Sequence, residues 1–229
     1  MTPETQATAV IAAAGSGERL GAGGPKALVE VGGRPLVAWS LAALAEAETV
    51  AAAVVAAPPD EVGRFSDTLG DASPIPVTVV AGGDSRSASV AAALEAVEAA
   101  LVVVHDAARP LATGELFDAV VAQLVAEEGC DCVIAAAPIT DTVKEVDGGG
   151  VVRTLERSHL WGAQTPQAFR VASLREALSA AGSLDTATDD AMLVENAGGR
   201  VAIHASPREN LKVTTPLDLR VAELLLAER

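Results

Sequence analysis

Residues 8–28 read TAVIAAAGSGERLGAGGPKAL. A continuous apolar run, 8–13, passes directly into a segment carrying five glycines, a proline and two cations, Arg19 and Lys26. Apolar residues in unbroken succession, rather than in alternation, predict a strand covered on both faces. A glycine-rich turn at the end of such a strand lies where open α/β sheets take their ligands.

The rest of the chain repeats this pattern. Further apolar runs at 50–57, 76–81, 101–105, 132–137 and 200–204 read as strands. Ala-rich segments at 35–47, 60–70, 85–99, 113–128, 171–180, 188–196 and 216–227 read as helices. Strand alternating with helix predicts a doubly wound, Rossmann-like α/β fold with a mostly parallel sheet. Residues 138–160, PITDTVKEVDGGGVVRTLERSHL, break the rhythm. Two alternating runs around DGGG predict a hairpin arm that projects from the body and is able to pair with a second copy. No repeat or linker divides residues 1–229, so one domain with this arm inserted is expected.

Composition narrows the function. Half of the residues are hydrophobic, with no Tyr, three Phe and two Trp, so the core is aliphatic. The net charge is −15, from 31 acids against 16 Lys and Arg, which argues against nucleic acid and against an anionic membrane surface as partners. An anionic ligand must then be held by a few local cations, which singles out Arg19 and Lys26. Cys130 and Cys132, spaced to share one face of a strand, read as buried free thiols. The start MTPETQATAV lacks the basic opening and long apolar stretch of a signal peptide, and no run approaches a membrane span, so a soluble cytoplasmic protein is expected.

Three readings of the glycine loop compete. A Walker A loop fails because Lys26 lies between Pro25 and Ala27. A dinucleotide fingerprint matches Gly15 and Gly17 but meets Leu20 in place of the third glycine, and GAGGP interrupts any helix. An extended loop wrapped around a triphosphate fits best, with glycines letting backbone amides approach the phosphates and Arg19 and Lys26 supplying charge. The bland alternative is a flexible turn with two solvated cations.

Four other segments carry polar residues at element ends. AGGDSRSASV, 81–90, offers Asp84 or Ser85 as a helix cap and places Gly83, Asp84 and Ser89 beside a pocket. LVVVHDAARP, 101–110, ends a buried strand in Asp106, suited to Mg²⁺, with Arg109 three residues on and His105 expected to be packed. ERSHLWGAQTPQAF, 156–169, flanks Trp161 with Arg157 and Thr165. TATDDAMLVENAG, 186–198, offers Thr188 or Asp189 as a cap, and ENLKVTTPLDL, 209–219, puts Lys212 on a short strand before a helix opening at Pro216.

The loop resembles the signature G-x-G-x-R…P-K of the sugar-nucleotide pyrophosphorylase superfamily. Together with HDAARP, GAQTPQ, TDD, NLKVTTPLD and the arm segments DTVKE and ERSHLW, it resembles the 2-C-methyl-D-erythritol 4-phosphate cytidylyltransferases over residues 8–226. The resemblance implies joining CTP to a polyol phosphate with release of pyrophosphate. It implies that Ala13, Ala14, Gly15 and Gly17 bind CTP, with Gly83, Asp84 and Ser89 completing the nucleoside pocket and Ala107 among the substrate-binding residues. Asp106 would hold Mg²⁺ between the phosphates, and Arg19, Lys26 and Lys212 would surround the α-phosphate. Arg109, Thr142 and Arg157 would hold the polyol phosphate, with Thr165 and Thr188 lining that pocket. Thr142 and Arg157 would come from the partner's arm in a homodimer. Glu18 in the loop and Asp190, where the pattern has Glu, depart from the family. Ribitol 5-phosphate is the alternative acceptor. A dehydrogenase on the same glycine turn is disfavoured by Leu20 and by Pro58 and Pro59 where a ribose-binding acid belongs.

Overall fold

The computed structural model describes residues 6–21, 23–70, 73–184 and 187–229. Residues 1–5 of the opening stretch MTPETQATAV, and Thr186 of the TATDDAM segment, lie outside the described residues.

In chain order the elements are β1 (Ala7–Ala12), a short hairpin of β2 (Glu30–Val31) and β3 (Arg34–Pro35), α1 (Leu36–Glu46), β4 (Val50–Ala57), α2 (Val62–Leu69), β5 (Val77–Ala81), α3 (Arg86–Leu94), β6 (Leu101–Asp106) and α4 (Gly114–Ala126). There follow β7 (Cys132–Pro138), β8 (Lys144–Asp147), β9 (Gly150–Thr154), β10 (Trp161–Arg170), α5 (Val171–Ala180), α6 (Asp190–Asn196), β11 (Val201–Ala205) and α7 (Pro216–Ala227). Seven strands form one sheet in the order β11-β7-β10-β6-β1-β4-β5. All neighbours run parallel except β10, which is antiparallel to both β6 and β7.

Both faces of the sheet are covered, as the unbroken apolar runs require. Ala9, Ile11, Val55 and Val103 pack with Leu41 and Leu44 of α1, Phe65 of α2 and Phe117 and Leu124 of α4. Their strand neighbours Val10, Val54, Val102 and Val104 point the other way, against Val90 and Leu94 of α3 and Leu174 of α5. Cys130 and Cys132 are buried and free, but they do not share a face. Cys130 precedes β7 and joins the first cluster, whereas Cys132 joins the second. The thiol of Cys130 reaches the carbonyl of Cys132, a turn and not a strand pair.

Three further expectations are corrected. The segment 161–170 is a central strand, β10, and its sequence hides this: its register on β7 breaks between Ala163 and Gln167, around Pro166, which has no amide to donate to a ladder. The helix expected over 85–99 stops at Leu94, where i→i+3 turns take over and Arg175 of α5 donates to the carbonyls of Leu94 and Val97. Residues 211–215 form no strand; Lys212 sits on an irregular segment pinned where Val213 N–H donates to the Ala108 carbonyl at 2.8 Å.

The arm exists as expected between β7 and β10. β8 and β9 pair antiparallel in a sheet of their own, and every residue of both is exposed.

Candidate active site

The sheet order reverses at β1: the chain proceeds outward through β4 and β5, then returns to place β6 on the other side. Such a switch point opens a crevice at the carboxyl ends of the strands. Here Ala12 of β1 is in register with Asp106 of β6. The glycine loop and HDAARP therefore leave the sheet side by side. They wall a cavity of about 660 Å³ together with Gly83–Arg86, Ser89 and Lys212.

The loop's path is set by left-handed glycines. Gly17 has φ 75°, and a Cβ there would meet the Lys26 Cβ at 3.1 Å and the Gly24 carbonyl oxygen at 3.2 Å. The chain doubles back on itself, and Lys26 N–H donates to the Gly15 carbonyl at 3.1 Å. Leu20 is buried against Val31, Leu36 and Val213, which is why a bulky residue replaces the third glycine of a dinucleotide fingerprint. Arg19 and Glu18 are exposed at the cavity wall. Opposite the loop, a Cβ on Gly83 would lie 2.7 Å from the Ala88 Cβ, so the backbone passes close over α3. Ser89 Oγ accepts from Gly83 N–H at 3.1 Å. Ser85 caps α3, accepting from Ala88 N–H, and this leaves Asp84 exposed at the cavity.

Asp106 is the electrostatic centre. Its Oδ1 accepts from Arg86 Nε at 2.8 Å and its Oδ2 lies 2.7 Å from Lys212 Nζ, with Arg109 Nε at 4.0 Å. Burial works to raise its pKa, but Arg86 and Lys212 outweigh burial and hold the carboxyl well below the usual carboxylate range. Lys26 has its pKa lowered, by burial first and then by Lys212 and Arg19, so three cations share the crevice. His105 is packed, as expected, and takes no place in the cavity lining. Thr165 Oγ1 accepts from Asp106 N–H at 3.0 Å and lies 3.1 Å from His105 Nδ1, while His105 Nε2 lies 3.3 Å from the Arg109 carbonyl. The carbonyl can only accept, which puts the ring proton on Nε2 and makes Nδ1 the acceptor of the Thr165 hydroxyl.

The cavity thus brings together Ala13, Ala14, Gly15, Gly17, Arg19, Lys26, Gly83, Asp84, Ser89, Asp106, Ala107 and Lys212. The other five residues lie outside it. Arg109 is buried and donates to the Asn210 carbonyl at 2.8 Å. Thr165 is buried behind Asp106, and Thr188 is exposed near Met192 while Asp189, not Thr188, caps α6. Thr142 and Arg157 are exposed on the arm, where Arg157 donates to the Thr140 carbonyl.

Sequence reasoning missed Arg86 and Asn210, and marked Asp190 only as a departure from the family pattern. Arg86 bridges Asp106 to the buried Asp190, whose Oδ2 lies 2.5 Å from Arg86 Nη1. Asn210 Nδ2 donates to Gln164 Oε1 and the Thr165 carbonyl, both at 2.9 Å, and so ties the Lys212 segment to β10. A signal for Arg86 was present: it is the one cation in AGGDSRSASV, in a chain with only 16 Lys and Arg.

For a divalent cation the donor set is specific. Among the described residues no three His, Cys, Asp or Glu side chains gather into a metal site. A single carboxylate at a strand end suits Mg²⁺, which usually takes one or two carboxylates and completes its shell with water and substrate phosphates. Asp106 fits that role, with water and a phosphate beside it completing the shell. Among the described residues no helix is long and apolar enough to cross a membrane.

Comparison with known proteins agrees with this geometry. Residues 7–228 match the family described as 2-C-methyl-D-erythritol 4-phosphate cytidylyltransferase. Proteins of that name from Frankia casuarinae and Microcystis aeruginosa are 48% and 41% identical to this chain, covering 96% of it and 80% and 98% of their own lengths. The crystal structure of 4-diphosphocytidyl-2C-methyl-D-erythritol synthase from Anaerococcus prevotii superposes with a TM-score of 0.83 at 28% identity, over 97% of this chain and 99% of that one. The cytidylyltransferase structure from Thermus thermophilus gives 0.75 at 35% identity over the same shares. The chain belongs to the 2-C-methyl-D-erythritol 4-phosphate cytidylyltransferase family.

Proposed function

We propose that this chain joins CTP to 2-C-methyl-D-erythritol 4-phosphate, giving 4-diphosphocytidyl-2-C-methyl-D-erythritol and pyrophosphate, a step of the non-mevalonate isoprenoid pathway. The observation that carries the reading is the meeting of Arg19, Lys26 and Lys212 with Asp106 in one glycine-walled crevice at the switch point. The acceptor phosphate attacks the α-phosphorus of CTP in line, and pyrophosphate leaves. The nucleophile is already an anion, so it needs no general base. The difficulty is bringing two polyanions together, and the chain meets it by positioning and fixed positive charge.

Ala13, Ala14, Gly15, Gly17, Gly83, Asp84, Ser89 and Ala107 hold the nucleotide, with the loop amides free to approach phosphate. Arg19, Lys26 and Lys212 face the α-phosphate. Asp106 would hold Mg²⁺, which would supply further neutralisation of that charge. Arg109, Thr142, Arg157, Thr165 and Thr188 serve the acceptor. Thr142 and Arg157 stand on the exposed arm, and a second copy bringing its arm to the crevice completes the acceptor site in a homodimer. Exposed Val146, Val151 and Val152 on the same arm, each about 60% accessible, are suited to such burial. This reading takes residues 1–229 as one nucleotidyltransferase domain working in the cytoplasm.

The test is pyrophosphate release with each of the four nucleoside triphosphates against a panel of polyol phosphates, including ribitol 5-phosphate. Turnover with CTP and 2-C-methyl-D-erythritol 4-phosphate far above all other pairs is expected. Preference for another acceptor or base would overturn the assignment.

A further inference from the structure

Asp190 opens α6 and is 0% exposed, in a layer that holds Ala191, Leu193 and Val194. An ionised carboxylate in such a place requires a compensating partner. Its neighbour Asp189 fixes where it points. Asp189 Oδ1 accepts from Met192 N–H at 3.0 Å and its Oδ2 accepts from Gln167 Nε2 at 2.9 Å, which ties the start of α6 to β10. Asp190 is thereby left facing α3, where it meets Arg86. The guanidinium of Arg86 is divided between two carboxylates, Nη1 on Asp190 and Nε on Asp106, while its buried Nη2 has no hydrogen-bond partner among the described residues.

Arg109 stands off from Asp106 Oδ2 at 4.0 Å, and the two cations in close contact with Asp106 differ in kind. Arg86 is locked by the buried Asp190 carboxyl, whose pKa burial pushes up while Arg86, 2.5 Å away, draws it back down. Lys212 has a side chain 41% exposed, on an irregular segment, and its ion pair is with Asp106 Oδ2. We propose that Asp190 is a charge-tuning positioning residue. It draws off part of Arg86's charge, so that Asp106 keeps one oxygen for exchange. Lys212 occupies that oxygen in the nucleotide-free protein and yields it to a divalent cation when nucleotide arrives. The proposal rests on the cytidylyltransferase reading. It adds which cation leaves, which stays, and why a charge lies buried at the base of α6.

The signs follow from Coulomb's law. Neutralising Asp190 leaves Arg86 wholly to Asp106 and makes the carboxylate a poorer cation ligand. Neutralising Lys212 removes the competitor. A structural role for Asp190 would change thermal stability and leave divalent-ion affinity alone.

The experiment titrates Mn²⁺, followed by electron paramagnetic resonance, into the full chain with and without CTP. Asp190→Asn is expected to weaken Mn²⁺ binding in the presence of CTP by about tenfold, at the low end of the roughly 10–100-fold typical when a ligand's supporting partner is changed. Asp190→Glu, which keeps the charge, is expected to recover most of that loss. Lys212→Gln is expected to tighten Mn²⁺ binding to the nucleotide-free protein. Wild-type Mn²⁺ affinity in a folded Asp190→Asn variant would overturn the proposal, as would equal or weaker binding by Lys212→Gln. The lysine variant alters an exposed side chain, so its result decides even where Asp190→Asn does not fold. Failure of the wild type itself to bind Mn²⁺ with CTP would overturn the cytidylyltransferase reading, a different outcome from equal affinities.

Discussion

The glycine loop makes its sharpest demand at position 17. Gly17→Ala meets two costs. The left-handed backbone, φ 75°, costs an L-residue roughly 1–2 kcal/mol. The new methyl would also lie 3.1 Å from the Lys26 Cβ and 3.2 Å from both the Lys26 Cα and the Gly24 carbonyl oxygen. None of these is the free end of a flexible chain, so the loop must open by a few tenths of an ångström where Lys26 turns back to Gly15. Gly21→Ala isolates the first cost: its φ is 67°, and a Cβ there meets nothing within 4 Å among the described residues. A chain of this size loses about 2–4 °C of melting temperature per kcal/mol. Gly21→Ala is therefore expected to melt roughly 2–8 °C lower with near-normal turnover. Gly17→Ala is expected to melt lower still and to lose about tenfold in kcat, since displacement of a catalytic group by about 1 Å costs up to about 10²-fold. Differential scanning fluorimetry and pyrophosphate release measure both. If the two variants behave alike, the Gly17–Lys26 contact does not position the lysine and the reasoning fails.

The remaining expectations concern charge. Lys26→Ala and Arg19→Ala should fold normally and lose about 10²–10³ in turnover, on the scale of a lost oxyanion donor, and near-full activity in either would remove that residue from the reaction. Arg157→Ala should weaken acceptor binding and leave CTP affinity unchanged in calorimetry, and a selective loss of CTP affinity would contradict its place on the acceptor side. His105 has its pKa pushed down to about 4 from 6.5, chiefly by burial. Because the fold prefers the neutral ring, its contribution is fully present above about pH 6.5 and is lost as pH falls towards 4, about 3 kcal/mol in all. The measurement is the stability difference between the wild type and His105→Gln across that range, in chelator and without nucleotide; a difference that does not change with pH would refute it.

What the sequence made legible followed local rules. Unbroken apolar runs gave the buried strands, and DGGG between alternating runs gave the arm. Glycine spacing with Arg19 and Lys26 marked the crevice wall. The parts that stayed hidden depend on contacts between distant segments. β10 carries Gly162, Gln164 and Pro166, which read as loop, and it is a strand because β6 and β7 hold it on both edges. Lys212 looked like part of a strand because Leu211 and Val213 flank it. Yet Val213 is buried in the α7 cluster and its amide spends its bond on Ala108, so no ladder forms. Arg86 and Asp190 are 104 residues apart, and no spacing rule joins them. The two thiols were misplaced for a related reason: strand alternation was applied one residue pair before the strand begins.

An acidic chain that binds a polyanion must gather positive charge without letting it fly apart before the ligand arrives. Arg19, Lys26, Arg86, Arg109 and Lys212, out of 16 Lys and Arg, lie in or beside this crevice. Their repulsion is visible at Lys26, whose pKa is lowered by burial and then by its cationic neighbours. Asp106 holds three of the five, and Asp190 anchors one of those three from beneath. The carboxylates therefore stand in for the substrate's charge before it arrives, so the cations already lie in the crevice and only Lys212 changes partner, and charges held close to their working positions are what lowers a barrier between anions. On this view Asp106→Asn should do more harm than the loss of one metal ligand. It would release Lys212 and leave Arg86 paired to Asp190 alone, so nucleotide affinity measured without any divalent ion should also change. Unchanged metal-free affinity would show that the cations keep their places unaided.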